Sequence, residues 1–153
     1  MKVDINDNRQ EIFDVLKTID VNMKPLFGKM SPQHVAEHLA FAIGVSTGKG
    51  PGKQFTTAEE GEGIKAKMIY SDSEMPQGIK NPILSDEPPG LKCANMNEAI
   101  ELFKSELETF DKLYKENPDS KMIHPRMGTM DQKEWTVLHN KHITHHLKQF
   151  GIM

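Results

Sequence analysis

The sequence predicts an all-α protein, a four-helix bundle in up-down-down-up order built from a single domain over residues 1–153. Three observations predict it. Four stretches repeat apolar residues at the helical period, capping residues stand at the ends of the last three, and a long segment rich in glycine and proline separates the second stretch from the third. A chain of 153 residues is also long enough to bury a hydrophobic core without disulfides.

The first helix is expected over 9–19, where Ile12, Leu16 and Ile19 recur at i, i+4 and i+7 and Phe13 and Val15 widen the stripe. The second opens with Ser31 as N-cap and Pro32 at the first helical position, where the missing N–H would be unpaired anyway, and runs to about Ser46. The third is the clearest. Ile100, Phe103, Leu107, Phe110 and Tyr114 keep the 3.6-residue period, Asn95 and Glu98 are spaced as a capping box, and Pro118 stops the helix. The fourth begins near Asp131, with Glu134 three residues on, and ends at Gly151, a residue suited to a left-handed C-terminal cap.

Residues 47–95 hold seven of the eleven glycines and five of the nine prolines, which rules out one long regular element. Only a short, weak helix is expected there, over 59–70. A crossover of this length is what a bundle needs when two consecutive helices run parallel, which is the ground for the up-down-down-up order.

Composition narrows the function classes. Nineteen Lys and Arg against 22 Asp and Glu leave a net charge of −3, evenly mixed, which argues against a nucleic-acid partner. Lys2, Asp4, Asp7 and Arg9 interrupt the start where a signal peptide needs an apolar run, and no later segment reaches the length of a membrane span. The expectation is a cytoplasmic protein without a membrane partner. Cys93 is the only cysteine and reads as a reduced loop thiol.

Seven histidines are a surplus, and six of them fall in or near two of the predicted helices. In WTVLHNKHITHHLKQFG, His139, His142 and His146 lie at about 40°, 340° and 20° from Trp135 on a helical wheel. Leu138, Ile143 and Phe150 flank that arc, and Asn140, Lys141, Thr144 and Lys148 lie opposite, so the three imidazoles point inward; His145 falls toward the polar edge and reads as a surface residue. Buried imidazoles need partners for their ring nitrogens, and a divalent cation satisfies several at once. His142 and His146 stand one turn apart, roughly 6 Å, and can share an ion, whereas His139 and His146 are about 10.5 Å apart and cannot. The third ligand must come from another helix, and His38 in PQHVAEHLAFA, beside Val35 and Ala42 rather than on the Glu37 side, is the best candidate. Spacing alone leaves open the plainer reading of hydrogen-bonded core histidines.

The segments KMSPQHVAEHL and LHNKHITHHLKQFG, with HPRMG and KEW between them, resemble the DinB/YfiT-like superfamily of metal-dependent enzymes, in an uncharacterised branch. The resemblance covers most of the chain. It implies an up-down-down-up four-helix bundle that binds a divalent ion, nickel or zinc, through His38, His142 and His146. Related branches use low-molecular-weight thiols such as bacillithiol, mycothiol or glutathione as cosubstrates for transfer or isomerisation. The middle segment, 47–95, is where the chain departs most from those branches.

Three neutral imidazoles leave coordination positions for water or substrate, so such an ion serves as a Lewis acid or holds a thiol as thiolate. His34 and His139 are placed to line the pocket, and Trp135, one turn before His139, to wall it, although a lone tryptophan on a core face also fits simple packing. His124 reads as a solvent-exposed loop residue that can reach the mouth of the site. The leading expectation is a metal-dependent transferase or hydrolase acting on a small molecule. The alternative is a non-catalytic bundle that binds a ligand or partner with a vestigial or absent metal. A homodimer is compatible with either, though no exposed apolar stripe demands one.

Overall fold

The computed structural model describes residues 1–79, 85 and 87–153. In order these form α1 (Arg9–Thr18), α2 (Pro32–Val45), α3 (Ala58–Met68), α4 (Met96–Glu116), β1 (Met122–His124), β2 (Gly128–Met130) and α5 (Gln132–Gln149). The protein is mostly helical, with one two-stranded antiparallel sheet in which Met122, Ile123 and His124 pair with Met130, Thr129 and Gly128. Among the described residues no helix is long and apolar enough to cross a membrane. Part of the expected crossover, residues 80–84 and 86, lies outside the described residues.

The periodic stripe of α4 becomes its inner face. Ala99, Ile100, Phe103, Leu107, Phe110 and Tyr114 are all nearly inaccessible, and α4 packs on α1 and α2. Phe103 meets Phe13 of α1 edge to face at 5.6 Å, and Leu39 and Ile43 of α2 join the same core. Each such side chain contributes about 1.5–3 kcal/mol when fully buried. The other face of α2 packs on α5, whose Ile143 and Leu147 complete the core. Helix α2 therefore packs on both α4 and α5.

Capping follows the sequence with one change. Ser31 and Asp131 head full capping boxes, the second with Glu134 as expected and the first with His34 in the position usually filled by Glu or Gln. Asn95 caps the Glu98 amide, but the Glu98 carboxylate turns to the Ala94 N–H at 2.9 Å, so only half of the expected box forms. At the end of α5, Gly151 (φ +71°) donates to Lys148 and Ile152 donates to Leu147, the two bonds of a Schellman cap.

The expected weak helix is α3, and it is tied down by long-range bonds. Lys141 of α5 donates to the carbonyls of Met68, Ser71 and Ser73 at 2.7–2.8 Å, stabilising the end of α3 where free carbonyls accumulate. Lys65 reaches the Thr129 carbonyl of β2 at 2.7 Å. The strand pair replaces what the sequence presents as a plain loop before the last helix. Its turn depends on Gly128 (φ +80°), where an added Cβ would stand 2.5 Å from Gln54 Oε1.

Candidate metal centre

His38 on α2 and His142 and His146 on α5 come together where the two helices pack. Their facing ring nitrogens all lie within 4.8 Å of one another. His142 Nε2 is 3.0 Å from His38 Nε2 and 3.0 Å from His146 Nε2. Tetrahedral zinc bonded to nitrogens at about 2.0–2.1 Å separates neighbouring ligand atoms by roughly 3.3 Å, close to the two 3.0 Å spacings at His142.

Hydrogen-bond accounting sharpens the point. Gln149 donates its amide N–H to the Phe27 carbonyl at 2.9 Å, which turns its Oε1 toward His146 Nδ1 at 2.8 Å. Nδ1 must therefore carry the proton, and His146 Nε2 presents a lone pair inward. His142 Nε2 can hold one proton at most, yet two imidazole nitrogens crowd it at hydrogen-bond distance. A neutral cluster cannot satisfy both contacts with linear hydrogen bonds, whereas three lone pairs converging on a cation can.

Gln149 is itself fixed by the chain that precedes α2. Its carbonyl accepts from Leu26 N at 2.7 Å, and Gly28 (φ +74°) passes so close that a Cβ there would meet Gln149 Nε2 at 2.8 Å. An outer hydrogen bond of this kind is what orients an imidazole for metal ligation. The sequence reasoning did not single out Gln149; its signal is the position three residues after His146, on the same face of α5.

The electrostatics keep these rings unprotonated. Burial, followed by the charge of His145, lowers His38 to about 4, and burial, followed by His38, lowers His146 to about 3. Burial first, then His146 and His38, holds His142 well below the ordinary imidazole range. All three are therefore neutral at pH 7, the state that binds a cation.

The cluster opens on a cavity of about 700 Å³, within the usual range for small-molecule sites. Phe27, Phe41, Ile64, Met68 and Met75 give it apolar walls. Trp135 and His139 line it, as the sequence suggests, and their rings stack at 5.7 Å. His139 Nε2, however, is already engaged within the protein. Ser46 Oγ donates to the Ile43 carbonyl and so accepts from His139 Nε2–H at 2.9 Å.

Three histidines sit differently from the sequence reading. His34 closes the α2 capping box through Ser31 and faces a second cleft of about 280 Å³, shared with Glu37 and His38, rather than the large cavity. His145 is half-buried, rests against Phe27 at 5.2 Å between ring centres and lines the large cavity, because the segment around Met75 covers that edge of α5. His124 is also half-buried in the cavity wall; its Nδ1 accepts the N–H groups of Arg126 and Met127 at 3.0 and 3.1 Å. Cys93 stands apart from the cavity, and burial, then Glu37 and Glu98, push its thiol pKa up.

The family model described as Protein of unknown function (DUF1569) matches residues 67–153, more than half of the chain. The chain belongs to this family. The DUF1569 region contains the strand pair and all of α5, hence His124, Trp135, His139, His142, His146 and Gln149, while His38 lies upstream of it. No curated protein and no solved structure matches the chain.

Proposed function

We propose that this DUF1569 protein is a metal-dependent enzyme of the DinB/YfiT-like type, in which α1, α2, α4 and α5 serve as the four helices of an up-down-down-up bundle. His38, His142 and His146 hold a divalent ion, nickel or zinc. The observation that carries this reading is the convergence of three imidazole nitrogens from two helices within 4.8 Å, beside a cavity of about 700 Å³. The reaction class is transfer to or from a low-molecular-weight thiol, or hydrolysis, on a small-molecule substrate.

A divalent ion on three neutral ligands supplies Lewis acidity and keeps a position open for exchange. The chain's own residues do the rest. Gln149 fixes the His146 tautomer so that Nε2 faces inward. Burial keeps His38 and His146 unprotonated, and Phe41, Met68 and Met75 keep bulk water from the bound molecule, where electrostatic interactions are stronger. No protein nucleophile is required, in keeping with the raised thiol of Cys93.

The apolar lining of the cavity also favours a second reading, a bundle that binds an apolar ligand without catalysis. Metal analysis of protein purified without a histidine tag separates the two. Near one equivalent of zinc or nickel, lost in His142→Ala, supports the centre; metal-free wild type supports the binding module. A panel of thiols and electrophiles then tests transfer, and His38→Ala is expected to abolish turnover while the helical circular dichroism persists.

A further inference from the structure

The chain has two arginines, and they are treated differently. Arg9 is held by both oxygens of Asp111 at 2.6 and 3.0 Å. Arg126, half-buried in the turn between β1 and β2, lines the large cavity, yet among the described residues no carboxylate lies within 4.0 Å of its guanidinium. Its backbone is firmly placed all the same. The Arg126 N–H donates to His124 Nδ1 at 3.0 Å, and its carbonyl accepts from Thr56 Oγ1 at 2.6 Å. A guanidinium that gives up part of its hydration without an anion is held at a cost, which an arriving oxyanion removes.

The neighbours suit an anion. His124 accepts two backbone N–H groups at Nδ1, so its proton sits on Nε2, a neutral donor on the same wall. Among the described residues the other cation of the wall is Lys29, which pairs with Glu87 of the same wall. Among the described residues of the wall, Arg126 is therefore the cation without a carboxylate beside it. A guanidinium takes a planar carboxylate through two parallel N–H···O bonds.

We propose that Arg126 anchors the carboxylate of an elongated small molecule whose other end reaches the histidine cluster; the assignment of that other end rests on the metal reading above. The Trp135 ring lies 5.6 Å from that of His124, and Trp135 precedes His142 by seven residues on α5. The His124–Trp135 side of the wall, next to the Arg126 turn, and the cluster are thus separated by a distance on the order of 10 Å along α5. The substrate class is a monocarboxylate with its reacting group at the far end of an extended, largely apolar body, matching the Phe41, Ile64 and Met68 walls.

Trp135 is the only tryptophan and lines the cavity, so its fluorescence reports occupancy without any ion. With metal-free protein, octanoate is expected to bind at least about tenfold more tightly than octanol. In Arg126→Ala the two bind alike, octanol binding is unchanged, and Arg126→Lys retains part of the preference. Equal binding of octanoate and octanol to the wild type, a preference that survives in Arg126→Ala, or tighter binding of octyl phosphate than octanoate each overturns the proposal. A second arm uses zinc-loaded protein with ω-mercapto-octanoate and ω-mercapto-octanol. A thiol gain that needs zinc and His142, without any carboxylate preference, sinks the anchor alone; a carboxylate preference without a thiol gain leaves the anchor standing and counts against the metal reading.

Discussion

His139 and His142 stand about one turn apart on α5, both turned to the interior and both kept neutral by burial. Their surroundings differ in how the ring nitrogens are satisfied. His139 gives its proton to Ser46 Oγ, whose own proton goes to Ile43, and Tyr114 closes the same corner by donating to the Ser46 carbonyl at 2.8 Å. His142 faces two other imidazole nitrogens with at most one proton to share. Neither burial nor helical position tells these two histidines apart. What separates them is whether the protein's own donors and acceptors close the account, and around His142 they do not.

The largest expected effect comes from replacing each of the two in turn. His142→Ala removes stoichiometric metal, whereas His139→Ala leaves metal content unchanged and lowers folding stability by about 2–4 kcal/mol, read from denaturant midpoints. Equal metal loss in both variants would erase the distinction.

Acid comes next and strikes both regions. The folded-state values of His38 and His124, about 4, and of His139 and His146, about 3, lie below the ordinary 6.5. The unfolded chain therefore binds more protons, and stability present above pH 6.5 falls as pH drops toward those values. Each group contributes a loss of about 1.4 kcal/mol per pH unit in that window. Metal-free protein should unfold on acidification between about pH 6 and 4, followed by circular dichroism, and zinc should move the transition to lower pH. A transition that zinc leaves in place would argue that the cluster holds no ion.

Gln149→Ala sharpens the comparison from outside the three-histidine cluster. Loss of the bond to His146 Nδ1 frees the tautomer, and zinc affinity should fall by roughly 10–100-fold with the fold intact. Cys93→Ser marks the small end: metal content unchanged and stability within about 0.5 kcal/mol of the wild type.

Most of the helical framework was legible in the sequence, because α1 and α4 carry strong apolar periodicity and α2, α4 and α5 carry clear N-caps, which are local properties. The strand pair was not, since three-residue strands give too few alternations to register and the turn at Gly128 depends on Gln54, far away in the chain. His145 was read as a surface residue because a wheel drawn on one helix cannot include the segment at Met75 that covers it.

By itself, then, the sequence determined the apolar stripe of each helix and the pairing of His142 with His146, because helical geometry fixes spacing within one element. Tertiary structure alone decided that His38 meets that pair, that Ser46 satisfies His139, and that Gln149 locks His146 through Phe27. Those partners, apart from Gln149 with His146, are separated by 93 to 122 residues, so only the packing of the helices and the segments between them brings the donors and acceptors within reach.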